Sequence, residues 1–291
     1  QTCALPIFLA PTWKFGDPAG MAESLKAELE RTGQKTGTGR ILEAFEKADA
    51  AREAFLEALA AAGETFLKRI ADSGGPGYVG LGREYVICDP MASSGTGSLF
   101  SRIRGMNYIP MVFLWKAFRN VPVHELVENE YWCNTAEILK ASLFVARTRG
   151  LYPIRQMNFA CGPDSIKFFM EREIFDRADK PFLHLVTDAQ TNSAPFATRA
   201  EAHERIVAQS FPRPVQSYTE LLPPLPKASK GNDRTWILPS MGHLNRLGSS
   251  LLRHWGIRAV AIPTAGTSAR EWARRTIPVE TCYPLKGVTG D

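Results

Sequence analysis

The chain has 291 residues, 44% of them apolar and 22% charged, with a formal net charge of +5 at pH 7. This is the composition of a globular protein able to bury a core in one or two domains, and it excludes a collagen-like, low-complexity or wholly disordered chain. No apolar run is long enough to cross a bilayer, and Lys and Arg are spread among acids along helices rather than clustered with aromatics, so neither a membrane span nor a nucleic-acid groove is expected.

The modest basicity suits phosphate-bearing small ligands. Five cysteines, few and widely spaced, fit a reducing cytoplasm rather than a disulfide framework. Gln1 to Ile7 has no secretory pattern and reads like sequencing-adapter read-through, so it is set aside together with Cys3. The expectation is that natural sequence is missing at both ends, Gly287 to Asp291 stopping on a turn.

Along the chain, Ala22 to Asp72 is rich in Ala, Glu, Lys and Leu, with Phe45, Phe55, Leu59, Phe66 and Ile70 at helical spacing. This predicts one long amphipathic helix preceded by a shorter one and broken at Ser73 to Gly77. After the break the pattern alternates: strand over Tyr78 to Leu81, short helix over Ser98 to Arg104, β-rich run over Tyr108 to Leu114, helix over Thr135 to Arg149. It continues with strand over Tyr152 to Phe159, helix over Pro163 to Phe175, strand over Phe182 to Val186, and a helix over Arg199 to Phe211 opened by a Thr198/Glu201 capping box. Pro212 to Asp233 reads as a Pro-rich linker, followed by strand Trp236 to Leu238, helix Leu244 to Trp255, strand Ile257 to Ile262 and helix Ser268 to Arg275. The fold class is therefore α/β, with two Rossmann-like parallel-sheet units after an N-terminal helical segment. The expected divisions are 1–75 (adapter-like start and helices), 76–211 (first α/β domain), 212–233 (linker) and 234–291 (a second, truncated α/β domain).

In such sheets ligands bind beyond the carboxyl ends of strands, so the strand-to-helix turns carry the candidates. Asn158-Phe159-Ala160-Cys161-Gly162-Pro163-Asp164-Ser165 delivers a cysteine to a helix start, where the amides favour a thiolate. The residues alone leave two readings for Cys161, a packed inert thiol or a metal ligand. Cys282, in Glu280-Thr281-Cys282-Tyr283-Pro284, precedes a proline as cysteines around iron–sulfur clusters often do. Ser93-Ser94-Gly95-Thr96-Gly97-Ser98 is a small-residue turn that suits either a plain loop or a phosphate cradle, but it lacks the lysine and glycine spacing of a nucleotide motif. Cys88 reads as packing and Cys133 is open to either reading. Zinc is disfavoured without a close ligand pair. The five histidines form no close pair; His203 and His254 read as surface or boundary residues on helix faces, His184 reads as a core residue, and His243 sits at a strand-to-helix turn.

Taken together, Gly80-Leu81-Gly82-Arg83 with Asp89-Pro90, Ile109-Pro110-Met111, the Asn158 to Ser165 segment, Thr198-Arg199-Ala200-Glu201-Ala202, Pro239-Ser240-Met241-Gly242, and Cys282-Tyr283-Pro284 with Gly290-Asp291 resemble the 2-hydroxyacyl-CoA dehydratase and activase-related iron–sulfur proteins. The similar stretch runs from about Gly77 to Asp291. The resemblance implies a [4Fe-4S] cluster with Cys161 and Cys282 as ligands and an ATP-dependent activase domain or protein as partner. It further implies a CoA thioester as substrate, a lyase or reductase component as the enzyme class, and an oligomeric assembly. Two alternatives stand beside it: a non-catalytic iron–sulfur relay or scaffold partnered with an ATPase, and an iron-free phosphate-binding module built on Ser93 to Ser98. The chain departs from the family after Leu185, where Val186-Thr187-Asp188-Ala189-Gln190 replaces an acidic, histidine-rich segment.

Overall fold

The computed structural model describes residues 9–14, 16–123, 132–158, 161–188, 193–222, 235–240, 243–263 and 266–276. The chain divides into two units, Gln1–Ala62 and Gly63–Asp291.

The first unit holds α1 (Pro18–Arg31) and the opening turns of α2 (Thr38–Ser73). Asp17 begins α1 by accepting the Gly20 amide at 2.9 Å, and Pro18 occupies the first turn, where a missing N–H costs nothing. The helical stretch is interrupted where Gly33 turns left-handed at φ 81°, a conformation that glycine adopts without a steric penalty. Within this unit Trp13 packs on Phe45 with ring centroids 5.7 Å apart, and Thr38 donates to Glu23 at 2.7 Å.

The second unit is built on a parallel sheet of β1 (Gly77–Leu81), β2 (Tyr108–Pro110), β3 (Leu151–Asn158) and β4 (Leu183–Thr187), in the order β2-β1-β3-β4. Tyr78 pairs with Tyr108, Leu81 with Arg155, and Ile154 with Leu183. All five residues of β1 are buried, as expected of a central parallel strand covered on both faces. One face carries Val79, Leu81 and Leu151 against Ile138, Leu139 and Leu143 of α6 (Cys133–Arg147), Ile174 and Phe175 of α7 (Gly162–Arg177), and Phe66 and Ile70 from the end of α2. The other face carries Tyr78, Tyr152, Ile154 and Leu185 against Phe196, Ala200 and Val207 of α8 (Ser193–Ala208), and against Leu99 and Phe100.

Three local expectations need correction. Met111 to Leu114 is a 3-10 turn rather than strand, because Met111 and Leu114, three residues apart, bury together after Pro110 ends β2. The Ser98 to Arg104 helix begins as α-helix at Thr96–Ser98 and widens into a π-turn over Leu99–Ile103. The helix expected from Arg199 begins at Ser193, with Pro195 in its first turn, so Thr198 is internal and bonds back to the Ala194 carbonyl at 3.5 Å instead of capping.

The Pro-rich stretch is ordered in its first part. Ser217 and Glu220 form a capping box around the 3-10 turn Tyr218–Glu220, and Leu221 and Leu222 are buried in the core beneath the sheet. Farther along, β5 (Trp236–Leu238) and β6 (Ala259–Ala261) form a two-stranded parallel sheet with the intervening helix His243–His254 and the later helix Thr267–Thr276. Trp236, Ile237, Leu244, Leu247, Trp255 and Val260 of this element are exposed. Among the described residues, no helix is long and apolar enough to cross a membrane.

Candidate functional site at the carboxyl end of the sheet

The order β2-β1-β3-β4 places the topological switch point between β1 and β3, the position at the carboxyl ends of the strands where open α/β sheets take their ligands. Gly82 follows β1 and passes so close to β3 that a Cβ there would lie 2.5 Å from the Gln156 carbonyl and 2.7 Å from Ile87. This close passage brings Arg83, which caps the short helix α3 (Glu84–Ile87), over the start of α7. β3 runs beyond the last residue of β1 that it pairs with, and its Gln156 fixes the loop from Ser93 to Ser98: Thr96 donates to Gln156 Oε1 at 2.8 Å, and Gln156 Nε2 donates to the Ser93 carbonyl at 2.9 Å.

Cys161 is the N-cap of α7 and is half-buried. Its carbonyl accepts the Ser165 amide at 2.9 Å, and Pro163 follows in the first turn, so the residue stands at the positive end of a sixteen-residue helix. Beneath it lies an alternating ionic chain. Arg83 Nε donates to Asp164 Oδ1 at 3.1 Å, the same oxygen lies 3.6 Å from Arg155 Nη2, and Arg155 Nε donates to Glu171 Oε2 at 2.6 Å. Arg155 and Glu171 are 0% exposed and Asp164 1%. Burial pulls the Arg83 guanidinium down, but Asp164 first and then Cys161 outweigh it, so its net shift is upward. Arg83 Nη2, Arg155 Nη2 and Asp164 Oδ2 are buried without a hydrogen-bond partner. At the end of β4, Thr187 Oγ1 donates to Asn158 Oδ1 at 3.0 Å and ties the two strand ends together.

Of the sequence candidates, the structure brings Cys161 and the Ser93 to Ser98 loop to this edge. Ser93 and Thr96 are buried and committed to Gln156, so this loop is anchored to β3. Cys282 lies outside the described residues, as do His124 and the stretch 223–234. Cys88 is exposed at the end of α3, contrary to the packing role expected of it, with its thiol pushed up by partial desolvation and by Glu84. Cys133 is exposed at the first position of α6, and His243 is exposed at the start of its helix. His184 sits on β4 with its ring 4.2 Å from that of Phe168, and His203, contrary to the surface or boundary place expected of it, is buried on the face of α8 that packs near Tyr78. Among the described residues, no group of three His, Cys, Asp or Glu side chains is arranged to hold a metal ion.

Sequence reasoning missed the ionic chain. Arg83 and Asp164 lay inside recognised segments, yet nothing local showed that they pair across 81 residues. A lone arginine inside the apolar run of β3 was the one available signal, since a buried charge requires a partner.

At the opposite, amino end of the strands a groove of about 1200 Å³ is lined by residues including Gly75, Arg149, Gly150, Lys180 and Pro212. Lys180 is not free there: its ammonium donates to the carbonyls of Val145 at 2.6 Å, Thr148 at 2.5 Å and Leu151 at 2.9 Å, closing the end of α6.

Comparison with curated proteins and with solved structures gives no match. Residues 6–114 match the family model described as CoA enzyme activase uncharacterised domain (DUF2229). The match covers the N-terminal helices and the first two strands, reaching neither Cys161 nor Cys282. It relates this α/β chain to the CoA enzyme activase-related proteins.

Proposed function

We propose that the chain is part of a [4Fe-4S] protein of the 2-hydroxyacyl-CoA dehydratase and activase-related group, with Cys161 and Cys282 as cluster ligands. Its role is ATP-coupled, low-potential electron transfer from an activase partner, for reduction or dehydration of a CoA thioester or another small substrate. The observation that carries the reading is the place of Cys161: a half-buried thiol at the helix start on the β1/β3 switch point, beside Arg83. The activase-related match over residues 6–114 supports the same assignment. When bound, the cluster supplies one-electron redox chemistry. The chain's own part is to present the sulfur of Cys161 from a fixed helix end, to keep Arg83 in place through Asp164, and to hold the loop at Thr96 against Gln156.

The test is anaerobic purification of the full chain with iron and sulfide analysis. Cys161→Ser and Cys282→Ser should each strip iron and the visible absorbance, whereas Cys88→Ser should retain both. Retention of a full iron complement by both of the first two variants would overturn the proposal.

A further inference from the structure

We propose that the helix His243–His254 is a peripheral membrane contact, its outward leucine stripe entering the headgroup layer of an anionic lipid surface. This helix is turned the opposite way from one that only covers its sheet. Asn245 and Ser249, 4% and 0% exposed, face inward, and Asn245 donates to the Ile262 carbonyl at 2.8 Å. Leu244, Leu247, Leu251 and Trp255, spaced by three and four residues, stand between 46% and 68% exposed. A helix that serves a core alone places its polar residues outward and such a stripe inward. At about 3.6 residues per turn, Arg246 and Arg253 fall on the side opposite the stripe, and both are exposed. Leucine and tryptophan along one side with arginine on the other is the pattern of helices that lie in the plane of a bilayer surface.

Charge decides which kind of surface. The stretch from Thr235 to Thr276 holds six arginines and one glutamate, with no lysine or aspartate, so it carries the whole formal net charge of +5. The helix has no carboxylate of its own for Arg246 and Arg253. On α2 and α8, by contrast, Lys47 pairs with Glu43 and Arg205 with Glu201. Two copies of so basic a surface repel each other, whereas anionic headgroups attract it. A bilayer also takes up the stripe without a partner of matching shape. No crossing is involved, since twelve residues are too few to span the hydrocarbon core. The inference is independent of Cys161 and Cys282, so it stands or falls apart from the cluster proposal.

The full chain is mixed with vesicles of phosphatidylcholine, alone or with about one third phosphatidylserine, and the bound fraction is read by sedimentation. Binding to the phosphatidylserine vesicles should be at least roughly tenfold stronger than to phosphatidylcholine alone, and should be lost in about 0.5 M salt. Leu247→Gln with Leu251→Gln removes only exposed apolar side chains and should lower partitioning by about tenfold or more. Arg246→Gln with Arg253→Gln should lower it by about tenfold on the anionic vesicles alone. Brominated acyl chains quench a tryptophan only on contact, so quenching in the parent that diminishes in Trp255→Phe reads the helix directly. Failure to bind phosphatidylserine vesicles at low salt overturns the proposal, as does binding that both double variants leave unchanged. It is overturned equally by a preference for soluble polyglutamate over vesicles, which assigns the face to an acidic protein. Dimerisation abolished by the double leucine variant would assign the face to a second copy and overturn it too.

Discussion

Gly82 is held by a contact that only a hydrogen can make, since the nearest obstacle to a Cβ is the backbone carbonyl of Gln156 and cannot swing away. Gly82→Ala should cost about 1–3 kcal/mol in denaturant unfolding, as overpacking does in a dense core. Glu171 is the counter-ion of an arginine with no access to water, so Glu171→Leu should cost roughly 3–5 kcal/mol by the same measurement. His203 belongs to a different pattern: its burial pushes the imidazole down to about 4 from 6.5. The folded chain keeps it neutral while the unfolded chain takes up a proton near 6.5. Its contribution is therefore intact above 6.5, is lost as pH falls from 6.5 towards 4, and changes no further below that. Unfolding free energies measured across that window should fall by up to about 3 kcal/mol on account of this residue, and His203→Phe should flatten that part of the slope.

At the level of elements, legibility followed burial. β1 and β3 announced themselves because strands covered on both faces are written as apolar runs, and α7 because a Gly-Pro pair opens it. Met111 to Leu114 was misread because a short apolar run carries no period of its own, and only the joint burial of Met111 and Leu114 decides for a turn. Cys161 was visible for the same reason as its helix, through a strand, a turn and a proline in sequence. The ionic chain beneath it was not, since the pairings Arg83 to Asp164 and Arg155 to Glu171 depend on which strands become neighbours. The closure of α6 by Lys180 is likewise tertiary, joining a residue just before β4 to carbonyls 29 to 35 positions earlier. Lys180→Met keeps the stem and removes three hydrogen bonds, two of them buried, so a loss of about 2–4 kcal/mol is expected by thermal or denaturant unfolding.

At the scale of the whole molecule, the two parallel sheets are unequal in how much they bury. The four-stranded sheet has helices on both faces, whereas among the described residues β5 and β6 pair only with each other and leave Trp236, Ile237 and Val260 exposed. Two such strands close few hydrogen bonds and shield little apolar surface, which places them at the low end of local stability. The amides of Leu238 and Val260 should therefore exchange with deuterium through a local opening, orders of magnitude faster than those of Val79 and Ile154. Equal protection of the two sheets in hydrogen-exchange mass spectrometry would contradict that. The expected consequence is kinetic: Trp236–Leu238 and Ala259–Ala261 should open and close many times during the lifetime of one folded molecule, so a protease acting on the native protein should cut these strands before it cuts the four-stranded sheet.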